Sequence, residues 1–125
     1  MTQKEKDLLL KDLCSRLPYG VKCTSGVDDA TLIIEGINPN CCGASEVQVT
    51  YEKSGINFDT TLSAIKPYLF PMSSMTEEQK VDMIKSSCGI GSDKNVFDWY
   101  NKNHFDYREL IPMGLAKDAT GLNIY

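Results

Sequence analysis

The chain is 125 residues long, with 42% hydrophobic residues, 24% charged residues and a net charge of −4. That length and balance match one domain, residues 1–125, large enough to bury a core without staples, and the acidic charge argues against a nucleic-acid partner, which needs clustered lysine and arginine to release counterions. No apolar run approaches the roughly 18 residues of a membrane span, and the polar start from Met1 to Asp7 has no signal-peptide core, so neither a membrane nor export is expected.

Thr2 followed by Glu5 forms a capping box. Leu9, Leu10, Leu13 and Leu17 then recur at helical spacing up to Pro18, which predicts a first helix over residues 3–17. Lys4, Asp7 and Lys11 fall on its solvent face. From Tyr19 to Leu69 the period moves toward two. Val21 with Cys23, Thr31 to Ile34, Val47 with Val49 and Tyr51, and a weaker stretch from Phe58 to Ile65 read as four short strands. Turn chemistry at Ser25-Gly26, Gly36 to Ser45 and Lys53-Ser54-Gly55 separates them, and the last is short enough for a hairpin. No connection can hold a crossover helix, so sequential antiparallel pairing is expected.

Pro67-Tyr68-Leu69-Phe70-Pro71 lacks two backbone donors and reads as an extended strap leaving the sheet. Thr76 with Gln79 repeats the capping box, Glu77 and Glu78 suit a helix N-terminus, and Val81, Ile84 and Cys88 form a stripe ending at Gly89. Ser92 or Asp93 can cap a third helix carrying Val96, Trp99, Tyr100 and Asn103. Asp106 with Glu109 marks a short fourth one ending near Gly114. The expected architecture is α+β: an N-terminal helix, a three- to four-stranded antiparallel sheet, and two to three C-terminal helices packed on one face.

The five cysteines are odd in number and lack C-x-x-C spacing, which fits reduced thiols in a cytoplasm better than a disulfide framework. Cys14, Cys23 and Cys88 fall on apolar faces, where a free thiol acts as a small hydrophobe; Cys41-Cys42 sits in a loop without metal-ligand spacing. His104 is the single histidine, so a Cys-His dyad is the one nucleophilic arrangement the composition allows, and no thiol stands in an electropositive setting. Asp28-Asp29, Glu77-Glu78 and Asp98/Asp106 read as a turn, a helix start and surface or capping groups, and not as an acid/base pair. Gly89-Ile90-Gly91 follows a helix instead of opening one, unlike a phosphate cradle. No catalytic residue, metal or cofactor is expected, and the chain does not read as an enzyme.

Trp99, Tyr100, His104, Phe105 and Tyr107, with Lys102 and Arg108, remain. Aromatics at that density mean either a helix docking on a sheet or a recognition surface, since Trp, Tyr and Arg dominate binding hot spots. The candidate binding residues are Trp99, Tyr100, His104, Tyr107 and Arg108. Arg108 is expected outside the core, because arginine is seldom buried unless paired.

Lys66 to Ala116 carries Pro67-Tyr68-Leu69-Phe70-Pro71, Ser73-Ser74-Met75-Thr76-Glu77-Glu78, the run from Phe97 to Arg108, and Gly114-Leu115-Ala116. Together with Lys11 to Val21 this pattern resembles a small family of proteins from mobile elements and phages of gut bacteria. That family has no assigned activity, so no site residue carries over from it; this chain departs from its pattern at Pro112 and in the Asn38-Pro39-Asn40-Cys41-Cys42-Gly43 loop. The resemblance implies a non-enzymatic accessory or interaction protein that binds a host or element-encoded protein. The alternative is a small pocket protein, a homo-oligomer in some arrangements, that binds or sequesters a nucleotide-like ligand through the aromatic and Arg108 cluster.

Overall fold

The computed structural model describes residues 2–25, 30–37, 47–86 and 92–125, with the side chains of Ser92 and Asp93 outside the description. The Gly26 turn, Asp28-Asp29, the Cys41-Cys42 loop, Cys88, the Gly89–Gly91 segment and the choice of cap between Ser92 and Asp93 lie outside the described residues.

Helix α1 spans Gln3–Arg16, and the Thr2 hydroxyl accepts the Glu5 N–H at 3.1 Å. Leu9 and Leu13 are buried from it as their spacing requires. Cys14, expected on the apolar face, is exposed instead, while Asp12 and Arg16 are wholly buried. A 3-10 turn at Leu17–Tyr19 carries Pro18, and Gly20 at φ 73° closes it with a left-handed residue.

Strands β1 (Lys22–Thr24), β2 (Thr31–Ile37), β3 (Val47–Tyr51) and β4 (Asn57–Thr60) pair in sequence and antiparallel. Leu32, Ile34, Val47 and Val49 point inward while Gln48 stays exposed, the alternation that a half-buried sheet imposes. Gly55 at φ 73° makes the β3–β4 turn, with its N–H on the Tyr51 carbonyl at 2.9 Å. The weak fourth segment is split. Thr60 ends β4, and Leu62–Ala64 form a 3-10 turn that buries Leu62.

The described sheet is larger than three or four strands. Lys66–Pro71 is strand β5, which pairs antiparallel with β1, and two short strands, β6 (Phe105–Asp106) and β7 (Lys117–Asp118), pair with β5 in parallel. The order is β4-β3-β2-β1-β5-β6, with β7 also on β5, so the sheet is mixed. The expected strap is therefore an interior strand. Its prolines are tolerated because strand groups alternate: Val21 C=O bonds Ile34 N–H, so Cys23 also turns its groups to β2, and Pro67 opposite it faces away from β1. Pro71 is the last residue of the strand.

Where the β1–β5 ladder would continue, the phenol of Tyr125 takes its place. Lys22 N–H donates to Tyr125 Oη at 2.8 Å, and that hydroxyl donates to the Tyr68 carbonyl at 2.9 Å. Tyr125 is 40% exposed as a whole, but desolvation of its hydroxyl between the two strands pushes the phenol above its ordinary range, with the Lys22 bond opposing, so it keeps the proton this bridge needs.

The C-terminal helices are α2 (Glu77–Ser86) and α3 (Ser92–Lys102). The Thr76 capping box is reciprocal: Gln79 N–H donates to Thr76 Oγ1 at 3.1 Å and Thr76 N–H to Gln79 Oε1 at 2.9 Å. The Val81/Ile84 stripe, however, is not core. Val81 is 50% and Ile84 58% exposed, and no described α2 residue is buried. The helix is tied to α3 by a polar contact, Trp99 Nε1–H to Asp82 Oδ2 at 2.8 Å.

The fourth helix does not form. Asp106 caps as its type suggests, accepting the Leu110 and Ile111 N–H groups at 2.8 Å each, yet the backbone it holds is a set of turns. Glu109 sits at φ 59°, and Pro112 has no donor for an interior helical bond.

Replacing Tyr125 by Phe keeps the ring and removes the hydroxyl, leaving Lys22 N–H and Tyr68 C=O without it. The expected loss is about 1 to 3 kcal/mol in urea unfolding, with the slope unchanged; loss below about 0.5 kcal/mol would show that the bridge is dispensable.

Candidate functional site

The Phe97-to-Arg108 run divides into an inward and an outward group, and the division is made by how α3 ends. Asn103 Nδ2 donates back to the Trp99 carbonyl at 2.9 Å, and His104 adopts φ 63°, a left-handed residue just past the helix. The chain then reverses into β6, where Phe70 N–H bonds the His104 carbonyl at 2.8 Å.

Inward lie Trp99, His104 and Phe105. Trp99 stacks on Phe105 with centroids 5.5 Å apart and 10° between planes, and His104 stacks on Tyr125 at 3.6 Å and 10°. All three are buried. His104 Nδ1 has no hydrogen-bond partner among the described residues, so protonation there would add a buried donor with nothing to bond. Burial first, then the Arg16 and Lys22 charges, lower the His104 pKa from 6.5 to about 4. The imidazole is neutral at pH 7 and acts as a packing group.

Outward lie Phe97, Tyr100, Tyr107 and Arg108. Tyr107 contacts Tyr100 at 5.6 Å and Phe97 at 5.2 Å, and the Arg108 guanidinium sits 4.6 Å from its ring centroid. Phe97 is 49% exposed. Tyr107 Oη donates to Asn101 Oδ1 at 3.0 Å, which fixes the ring against α3.

An ion cluster fastens this face to α1. Arg16 Nε donates to Asp12 Oδ2 at 2.8 Å, Arg16 Nη2 to Asp12 Oδ1 at 3.2 Å and to the Phe105 carbonyl at 2.6 Å, and Arg108 Nη1 to Asp12 Oδ1 at 2.8 Å. Asp12 and Arg16 are fully buried and Arg108 is 17% exposed. Arg108 thus stays outside the buried core beside Tyr107, as the sequence suggested, with the buried Asp12 carboxylate pairing one of its donors.

Two open clefts flank α3. One, of about 670 Å³, lies between α2 and α3 over Trp99, Asp82 and Asn103; the other, of about 600 Å³, runs between α1 and α3. Lys11, Ser15, Lys94, Phe97, Asp98 and Asn101 line the second together with Tyr107 and Arg108. Of the five sequence candidates, Tyr107 and Arg108 line this groove, Tyr100 supports Tyr107 from behind, Trp99 borders the other cleft, and His104 lines neither. Phe97, Lys94, Asp98 and Asn101 were missed as site residues although their spacing places them on one helical face; Lys11 and Ser15 come from across the fold, and no local signal links them to it.

Cys23 is buried and its thiol is pushed up to about 12, the opposite of what a nucleophile needs. Among the described residues no three His, Cys, Asp or Glu side chains are grouped to hold a metal ion, and no described helix is long and apolar enough to cross a membrane. No protein-family model, no curated protein and no solved structure matches this chain.

The histidine gives a pH dependence with a definite sign. Its folded pKa lies below its unfolded value, so the unfolded chain binds the extra proton, and stability falls as pH drops from about 6.5 toward 4. Between pH 7 and pH 4 wild type should lose on the order of 2 to 4 kcal/mol more than His104→Phe, read by urea unfolding at each pH. Equal losses in the two proteins would remove His104 from the acid response.

Proposed function

We propose that this chain is a non-enzymatic interaction protein that grips a partner protein through the groove between α1 and α3. The observation that carries the reading is Phe97, 49% exposed in that groove and backed by the half-buried Tyr107 and Tyr100 rings. Ordered aromatic rings with an adjacent arginine offer large contact area at little further entropy cost, which is the composition of binding hot spots. The resemblance to proteins of phages and mobile elements supports an accessory role in a cytoplasm, on a host or element-encoded target.

A small nucleotide-like ligand is the second reading, favoured by the groove volume, which is in the range of ligand pockets. It is the weaker one. A base needs a free ring face, and the Tyr107 ring is already taken by Tyr100 and Arg108.

Phe97→Ser tests the proposal without touching the core. Wild type and variant are purified from the native cells and weighed by native mass spectrometry; a stoichiometric protein partner is expected on wild type, depleted about tenfold or more on the variant. A partner retained equally by both, or a small-molecule adduct in place of a protein, would contradict it.

A further inference from the structure

We infer that the occupant of the α1–α3 groove is an acidic peptide segment whose carboxylate is received by Arg108, Lys11 and Lys94 while an apolar side chain rests on Phe97. This deepens the reading above and rests on it. The charge distribution is the reason. Although the whole chain is acidic, the groove is lined among the described residues by three cations against one carboxylate, Asp98.

The buried acids nearby do not make up the difference. Asp12 is shared by two guanidiniums, Arg16 and Arg108. Asp106 spends both oxygens on the Leu110 and Ile111 N–H groups. Arg108 commits one N–H to Asp12. Its remaining donors, in a planar fork that matches an oxyanion, have no acceptor among the described residues. Lys11 and Lys94 are exposed, and neither stands in an ion pair among the described residues. A half-buried guanidinium already fixed by Asp12 loses little freedom when it binds, and the two lysines steer a negative segment toward it.

The recognised chemistry is an oxyanion, which a peptide carboxylate or free phosphate could supply, and the probes separate these sources. The isotope-labelled full chain is titrated by NMR with four of them: an acetylated hexapeptide alternating glutamate and phenylalanine, its glutamine counterpart, inorganic phosphate, and a nucleoside monophosphate. The glutamate peptide should shift the Ser15, Asn101, Tyr107 and Arg108 amides saturably, and more tightly than the other three. The Lys11→Gln/Lys94→Gln double variant, altered only at exposed side chains, should bind it about tenfold more weakly, with a shallower salt dependence.

Equal affinity for the glutamine peptide, unchanged affinity in the double variant, or tighter binding of phosphate or nucleotide would each overturn the inference. If Phe97→Ser still abolishes partner capture while the glutamate peptide does not bind, the interaction function stands and the acidic occupant is wrong. If the peptide binds and Phe97→Ser leaves partner capture intact, the site is real and the partner is held elsewhere.

Discussion

Asp12 is the point at which the two ends of the chain are tied together. A carboxylate with no solvent exposure is costly to bury, and it is held there by two arginines, one a single helical turn away and one 96 residues away. Arg16 also reaches the Phe105 carbonyl, so α1 is fixed to β6 as well as to Arg108. Burying such charges is tolerable only when they are paired, and the pairing here leaves Arg16 Nη1 without a hydrogen-bond partner among the described residues. The cluster therefore contributes less to net stability than to register: α1 must sit where Asp12 meets Arg108, or the charges are left unpaired.

That constraint shapes the site. With α1 fixed, Lys11 and Ser15, on the neighbouring positions of the same helix, are brought opposite Lys94, Phe97 and Asn101 of α3. The reversal at His104 divides the aromatic run, sending Trp99 and Phe105 inward and leaving Phe97 and Tyr107 at the groove with Tyr100 packed on Tyr107. On the far side, Tyr125 stacks on His104 and bridges β1 to β5 through its hydroxyl. The groove is thus walled by α1 and α3, and the buried ion cluster fixes α1 to the Phe105–Arg108 segment that follows α3.

The parts of this arrangement that depend on neighbours in sequence were legible. The Thr2 N-cap, the Thr76–Gln79 capping box, the α1 leucines, the β2 and β3 alternation and the Gly55 turn follow from local chemistry and stand in the structure. What depends on distant partners was not. Pro67 to Pro71 looked unfit for a sheet interior because the edge that each proline faces is set by register with β1, which lies far away in sequence. Val81 and Ile84 looked like a core stripe because amphipathic spacing says which residues share a face, not whether anything covers it. The Asp12–Arg16–Arg108 cluster left no local signal, since Arg108 reaches Asp12 from 96 residues away. Of the site, the residue types were legible and the split was not: Trp99 and His104 belong to packing, Tyr107 and Arg108 to the groove.

The central claim, that a buried carboxylate holds α1 against the C-terminal segment, is tested most directly by Asp12→Asn. The change keeps size and shape and removes the charge that two arginines require. Equilibrium urea unfolding at pH 7 should show a loss of about 3 to 5 kcal/mol, a large share of the 5 to 15 kcal/mol that domains possess, with NMR shifts concentrated at Phe105 to Arg108. A variant within about 0.5 kcal/mol of wild type, with those resonances unmoved, would show that the arginines do not depend on Asp12 and would contradict the account.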